Sequence, residues 1–133
     1  MNTYTFYTAL GELMFTYSGF SLDTVVENNS DLNYVEGSYN GKIYYVLNGQ
    51  VKERPTQNTK LDKIQIKADG IDTLTIFDAP IGSITIYGEV NNRTIESNIT
   101  NTETFITTIP DKYQVGILAF PYLPFNMSFE AIQ

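Results

Sequence analysis

Cysteine, histidine and tryptophan are all missing from this chain of 133 residues. Without cysteine there is no disulfide framework and no thiolate metal site. Without histidine the commonest general base and metal ligand is gone. No apolar run approaches the ~18 residues of a membrane span, and the start Met1-Asn2-Thr3-Tyr4 has neither the basic nor the apolar segment of a secretory signal. The expectation is a protein made in a cytoplasm, not processed and not inserted in a membrane. Basic residues are scarce as well: eight Lys and Arg face fifteen Asp and Glu, a net charge of −7. A chain this acidic is repelled by nucleic acid and by anionic membrane surfaces, both of which demand a basic footprint.

The charge is unevenly spread. Residues 1–51 hold Lys42 alone against five acids, and residues 68–133 hold Arg93 and Lys112 against eight. Between them Lys52, Arg54, Lys60, Lys63 and Lys67 face only Glu53 and Asp62. Two readings of this belt stand: a solvated linker with a lysine-protected edge strand, or a docking surface for an acidic neighbour.

What is present is β-forming. The 42% hydrophobic and 14% aromatic content suffices for a packed interior. Thr3–Tyr7 and Leu13–Tyr17 have the β-branched and aromatic enrichment of strands and flank a link containing Gly11, which predicts a hairpin. Ser21 to Glu27 predicts a two-turn helix with Ser21 as N-cap, Asp23 in the first turn, and Leu22, Val25 and Val26 on one face. Two Asn-Gly dipeptides, at 40–41 and 48–49, then punctuate a tyrosine-rich run. Asn-Gly takes the positive φ angles of two-residue hairpins, so strands at Tyr34–Tyr39 and Lys42–Leu47 are expected to complete a tight β-meander over residues 1–55.

The polar stretch Arg54 to Thr59 lacks periodicity and marks a boundary. Beyond it, over residues 60–133, alternation with a period of two recurs. Ile64 and Ile66, Ile84 and Ile86, Tyr113 to Ala119, and Phe125, Met127, Phe129 and Ala131 each alternate with mostly polar neighbours. Turn signals at Asp69-Gly70, Asp78 to Gly82, Gly88 to Asn92 and Pro110-Asp111 interrupt the pattern. Seven candidate strands between Lys60 and Ile132 predict an immunoglobulin-like β-sandwich, so the whole chain is expected to be all-β with one short helix.

The stretch Tyr34-Val35-Glu36-Gly37-Ser38-Tyr39, followed by Tyr44-Tyr45-Val46 and the exit Arg54-Pro55, resembles a small module of tail proteins of tailed bacteriophages. The likeness extends to the sandwich, whose start Ala68-Asp69-Gly70-Ile71-Asp72-Thr73 and ending Ala119-Phe120-Pro121-Tyr122-Leu123 are similar to the added surface domains of phage virion proteins. This resemblance implies a structural component of a virion, assembled in the bacterial host. Its partners would be tail, baseplate or capsid subunits, in several copies. It also leaves open a head decoration protein, or a module that binds host-surface glycan.

Paired carboxylates are the one familiar catalytic device the composition leaves. Asp69 with Asp72, and Asp23 with Glu27, read as turn and capping residues, and the first pair lacks the alternating oxygen ligands of a calcium loop. Serines and threonines have no histidine to deprotonate them. No enzyme, cofactor or metal is therefore expected. Ten tyrosines exceed what two small cores can hide, and tyrosine suits interfaces. Tyr44 and Tyr45, adjacent on a strand, point to opposite faces. The interface candidates are Tyr39, Tyr44, Tyr45 and Arg54 in the first part, and Phe120, Tyr122 and Phe125 around the proline-interrupted apolar loop of the second.

Overall fold

A computed structural model describes residues 2–133. They form eleven strands and one short helix, an all-β architecture. The chain divides into two units, one ending at Pro55 and the other covering Thr56–Gln133.

In the first unit β1 (Thr3–Tyr7) is the middle strand of three, with β2 (Leu13–Ser18) antiparallel on one side and β3 (Asn33–Glu36) antiparallel on the other. Register sets Phe6 opposite both Phe15 and Tyr34; its ring stacks on Phe15 at a centroid distance of 4.8 Å and meets Tyr34 tilted at 5.5 Å. Phe6 is completely buried there. Its neighbour Thr5 faces the other way yet is also buried, because the chain folds back over that face. Its hydroxyl donates to the Gly37 carbonyl at 2.7 Å and accepts from the Tyr39 N–H at 3.3 Å.

Between β2 and β3 lies the helix α1 (Leu22–Asn28), none of whose residues is buried. Leu22, Val25 and Val26 are its half-buried residues, in keeping with the expected face. Ser21 stands at the N-cap position but its side chain makes no capping bond. Its φ of −114° and ψ of 43° lie outside the β region that aims a capping oxygen at the first turn. The Ser21 N–H donates instead to the Tyr17 hydroxyl at 2.9 Å.

The two Asn-Gly dipeptides behave differently. Asn48 and Gly49, at φ 52° and 77°, form the two-residue turn joining β4 (Tyr44–Leu47) to β5 (Gln50–Glu53). Asn40-Gly41 makes no hairpin. The Asn40 carbonyl accepts the N–H groups of Ile43 and Tyr44, and its side chain accepts that of Lys42, which winds the chain into a local turn. Strand β3 therefore pairs with β1 rather than β4, and the β4–β5 hairpin forms its own ladder. That hairpin meets the β1–β2 link at one point: the Val46 N–H donates to the Gly11 carbonyl at 2.9 Å. Gly11 has φ +92°, and a Cβ there would collide with the Val46 carbonyl.

The second unit has six strands: β6 (Lys60–Leu61), β7 (Gln65–Lys67), β8 (Leu74–Gly88), β9 (Thr94–Phe105), β10 (Asp111–Leu118) and β11 (Phe125–Ile132). The expected count of seven differs because β8 and β9 are long and bent. Their mutual ladder shifts register between Ile76 and Ala79 and again before Gly82. At the bend Asp78 and Asn101 adopt positive φ, and Gly82 lies so close to Leu118 and Ala119 that a Cβ would not fit. The stretch from Asp78 to Gly82, which reads as a turn, is thus a corner inside one strand.

Each bent strand serves two layers. The first halves of β8 and the second of β9 join β6 in one layer; the second half of β8 and the first of β9 join β10, β11 and β7 in the other. Segment by segment this is the order of an immunoglobulin-like sandwich, with the corner taking the place of the link between its second and third strands. Leu74, Ile76, Ile84, Ile86, Ile99, Val115 and Ile117 fill the core, with Phe105, Tyr113 and Phe129 clustered at ring distances of 5.1 to 5.4 Å.

Tyr113 ties this core to a turn. Its hydroxyl donates to the carbonyl of Ile109, four residues upstream, at 2.8 Å, and lies 3.1 Å from the Thr107 hydroxyl. An early tyrosine of the sixth strand bonded back to the preceding corner is a hallmark of such sandwiches. Alternation holds along β10, where Tyr113, Val115, Ile117 and Ala119 are all buried. It fails at two expected core positions: Ile64 precedes β7 and is exposed, and Met127 is 44% exposed near the open end of β11.

Candidate interface surfaces

The seven residues singled out by the sequence fall into two groups, one in each unit. In the first, Tyr39 and Tyr44 pack edge to face, with ring centroids 5.8 Å apart. Tyr44 shares its strand face with the buried Val46, while Tyr45 points the other way; both tyrosines are half-buried. Arg54 is also half-buried and donates from Nη1 to the Gly41 carbonyl at 3.2 Å, pinning the turn that precedes β4. Tyr39, Tyr44 and Arg54 hold the tyrosine-rich segment together, and each of the four side chains keeps only part of its surface in solvent.

In the second unit, residues 119–124 form the loop between β10 and β11, with a cis Phe120–Pro121 peptide and a Tyr122 N–H donated to the Ala119 carbonyl at 2.8 Å. Phe125 packs partly against the core. Tyr122 is half-buried beside a hollow of about 390 Å³ lined also by Asn58, Asp78 and Asn101. Of the three aromatic residues of this group, Phe120 projects furthest, at 39% exposure.

Larger apolar exposure lies at residues the sequence reading passed over. Leu10, Phe20, Ile71, Ile81 and Val90 are each about four-fifths exposed. Leu10, Phe20, Ile71 and Val90 share one signal, an apolar residue inside a turn or bend, such as Phe20 between Gly19 and Ser21, or Ile71 after Asp69-Gly70; Ile81 stands at the corner of β8. A side chain in that setting has no neighbour on its own strand face to bury it.

The carboxylates behave as turn residues. Asp69 accepts the N–H groups of Ile71 and Asp72, and Asp72 accepts that of Lys67 and an ion pair from Lys63 at 2.9 Å. Asp111 accepts from Val90, Asn91 and Lys112. These backbone donors stabilise the charged form, so all three carboxyls are held below the usual range, and the Lys63 ammonium is raised by its bond to Asp72. Among the described residues no cluster of three or more acidic side chains converges on one point as a metal site would require.

The sandwich also has an unclosed side. Strand β9 is outermost in both layers: Thr94–Ile99 pairs only with the second half of β8, and Asn101–Phe105 only with the first. Between its halves a cleft of about 530 Å³ reaches Ile86, Phe105 and Tyr113, and continues as a smaller one of about 220 Å³ toward Ser97 and Glu103. Ile95 and Ile106 stand at its lips, each about half exposed. Glu103 lies opposite Ile76 in the ladder, so it faces into this opening rather than away from it. The opposite side is bounded by β6 and β7, with Lys60, Lys63 and Lys67 exposed and Ile64 at 72% exposure. A strand edge carries unpaired N–H and C=O groups; β9 leaves such an edge in both layers, whereas at β7 the Lys67 N–H is taken by Asp72.

No family model matches the sequence, and no curated protein matches it either. Among solved structures, two glycosyl hydrolase family 2 members from Bacteroides cellulosilyticus align with it. One covers 98% of this chain at 11% identity with a TM-score of 0.38, and the other 96% at 12% identity with a TM-score of 0.35. The chain spans about a fifth of the length of each, 22% in both cases.

Proposed function

We propose that this chain is a non-enzymatic structural component of a tailed-phage virion, located at the tail, its baseplate or the fibre attachment region. The first unit anchors it, and the sandwich is presented for contact with neighbouring subunits or the host surface. The observation that carries the docking part of this reading is the amount of apolar side chain left in solvent: Leu10, Phe20, Ile71, Ile81 and Val90 at about four-fifths exposure, together with the open side of the sandwich. The virion itself enters through the resemblance of the Tyr34–Pro55 stretch. A unit of some 55 residues buries only ~60% of its unfolded surface, so binding to the folded form adds stability that its own core does not supply. Subunits held in an assembly meet at high effective concentration, which makes that coupling strong.

The test is the position of a labelled antibody against this chain on intact particles. Label on the tail or at its tip supports the proposal. Label on the head makes the protein a decoration subunit, and absence from particles overturns the virion reading. Adhesion to host glycan is examined separately, by adding host polysaccharide and following tyrosine fluorescence of the protein and of its Tyr44→Ala and Tyr122→Ala variants. A response that both variants abolish supports host contact, and no response to any polysaccharide removes it.

A further inference from the structure

We infer that the open side of the sandwich docks a second copy of this chain, whose opposite side, residues 60–67, lies along β9. The two sides of the same unit are complementary in three respects. The β9 side ends both layers with unpaired strand edge, and the β6–β7 side ends each layer at the other end, with the Lys67 N–H bonded to the Asp72 carboxylate. The β9 side carries Glu96 and Glu103 with Arg93 just before it, whereas the β6–β7 side carries Lys60, Lys63 and Lys67 against Asp62 and the Asp72 that pairs with Lys63. The β9 side has an apolar cleft between Ile95 and Ile106, and the other side has Ile64 standing 72% exposed.

Charge decides which occupant fits. An acidic chain has few places that attract another copy of itself, since most of its surface repels. The segment from Lys60 to Lys67 is the part of the sandwich where lysines outnumber acids, and β9 offers Glu103 at the opening and Glu96 on the outer face of the same strand. Because the two contacting surfaces differ, the contact is heterologous: each copy presents one free side to the next, and association continues into a ring or a filament rather than stopping at a two-fold dimer. The pairing gives the virion component its multi-copy arrangement, but it rests on the edges of the sandwich and not on the virion reading.

The experiment is sedimentation velocity of the full chain over a range of concentrations, in low and in high salt. The expected result is a mass that grows with concentration at low salt and falls back toward the monomer at high salt. Two variants locate the contact: Glu96→Lys with Glu103→Lys, and Lys60→Glu with Lys67→Glu. Neither pair includes Lys63, which is bonded to Asp72. Each variant alone should lose association, and an equimolar mixture should regain it, because each reversed side then meets an opposite charge. Glu96→Lys alone, on an exposed strand position opposite Thr85, weakens association with no risk to the core. A monomer at every concentration in low salt overturns the inference, as does association that persists in both variants or a mixture that fails to recover it. None of these outcomes changes where antibody lands on particles, so the two readings fail separately.

Discussion

Two glycines of the first unit share a backbone conformation and differ in what surrounds them, which makes their alanine variants a matched pair. Gly11 has φ +92° and Gly49 has φ +77°. An L side chain in the left-handed region costs about 1–2 kcal/mol by itself. At Gly49 nothing lies within 4 Å of the added Cβ, so that strain is the whole effect. At Gly11 the Cβ would overlap the Val46 carbonyl, and relief requires β4 to move away. The movement breaks the 2.9 Å bond from the Val46 N–H to the Gly11 carbonyl and uncovers Val46, which is 4% exposed. Trading that bond for one to water costs about 0.5–1.5 kcal/mol, and exposing a buried valine about 1.5–3 kcal/mol. Gly11→Ala should therefore cost about 3–6.5 kcal/mol, comparable with the whole stability of a unit this size at about 0.05–0.15 kcal/mol per residue. Amide hydrogen exchange of the intact chain, read on peptides covering Tyr44–Glu53, separates the two. Exchange there should quicken about a hundredfold or more in Gly11→Ala and about five- to thirtyfold in Gly49→Ala, at 1.4 kcal/mol per factor of ten. Equal changes in the two variants would refute the reasoning, because they would show that the contact between the link and the hairpin carries no weight.

Thr5→Val keeps shape but strips the hydroxyl that serves the Gly37 carbonyl and the Tyr39 N–H. It should destabilise the first unit by about 2–3 kcal/mol in a thermal melt, with Thr5→Ser recovering most of the loss. Tyr113→Phe removes the bond to the Ile109 carbonyl inside the sandwich, and urea unfolding should show a midpoint lower by the equivalent of about 1–3 kcal/mol with an unchanged slope. Asp69, Asp72 and Asp111 have folded pKa values below their unfolded ones, so the unfolded chain takes up protons first as the solution is acidified. Their contribution is complete above an unfolded value of about 3.9 and drains as the pH falls through the lower folded values, which an acid titration followed by near-ultraviolet circular dichroism should register as falling stability below about pH 4. Phe129→Ala, in the aromatic trio of the core, should cost about 3–5 kcal/mol in the same urea assay.

How far the sequence carries is set by whether a feature is local. Strand β10 was legible because Tyr113, Val115, Ile117 and Ala119 alternate without interruption, and alternation is a property of one segment read alone. The two Asn-Gly dipeptides show where locality ends. Asn48-Gly49 stands directly between two strand-forming runs, so the turn closes a ladder; before Asn40-Gly41, Gly37 at φ +112° has already ended the strand, and the same dipeptide has no ladder to close. The corner at Asp78–Gly82 was read as a break because proline and glycine punctuate it. Its ladder resumes only because Asn101, twenty residues on, bends at the matching place. The candidate tyrosines were found from composition, which counts aromatic residues but does not say that Tyr39 and Tyr44 spend their faces on each other. The open side of the sandwich was the least legible feature, for a physical reason. Thr94–Phe105 has three apolar residues in twelve, a weak pattern that marks an edge but not what the edge lacks. A cleft between Ile95 and Ile106 exists because, among the described residues, β9 pairs only with β8, and such an absence is a fact about pairing across the whole unit. The lysines of residues 60–67 were visible from the start, and two readings of them stood side by side. Placing them on the side opposite the carboxylates of β9 turns that ambiguity into a direction, since lysines that keep like edges apart can also draw an unlike edge in.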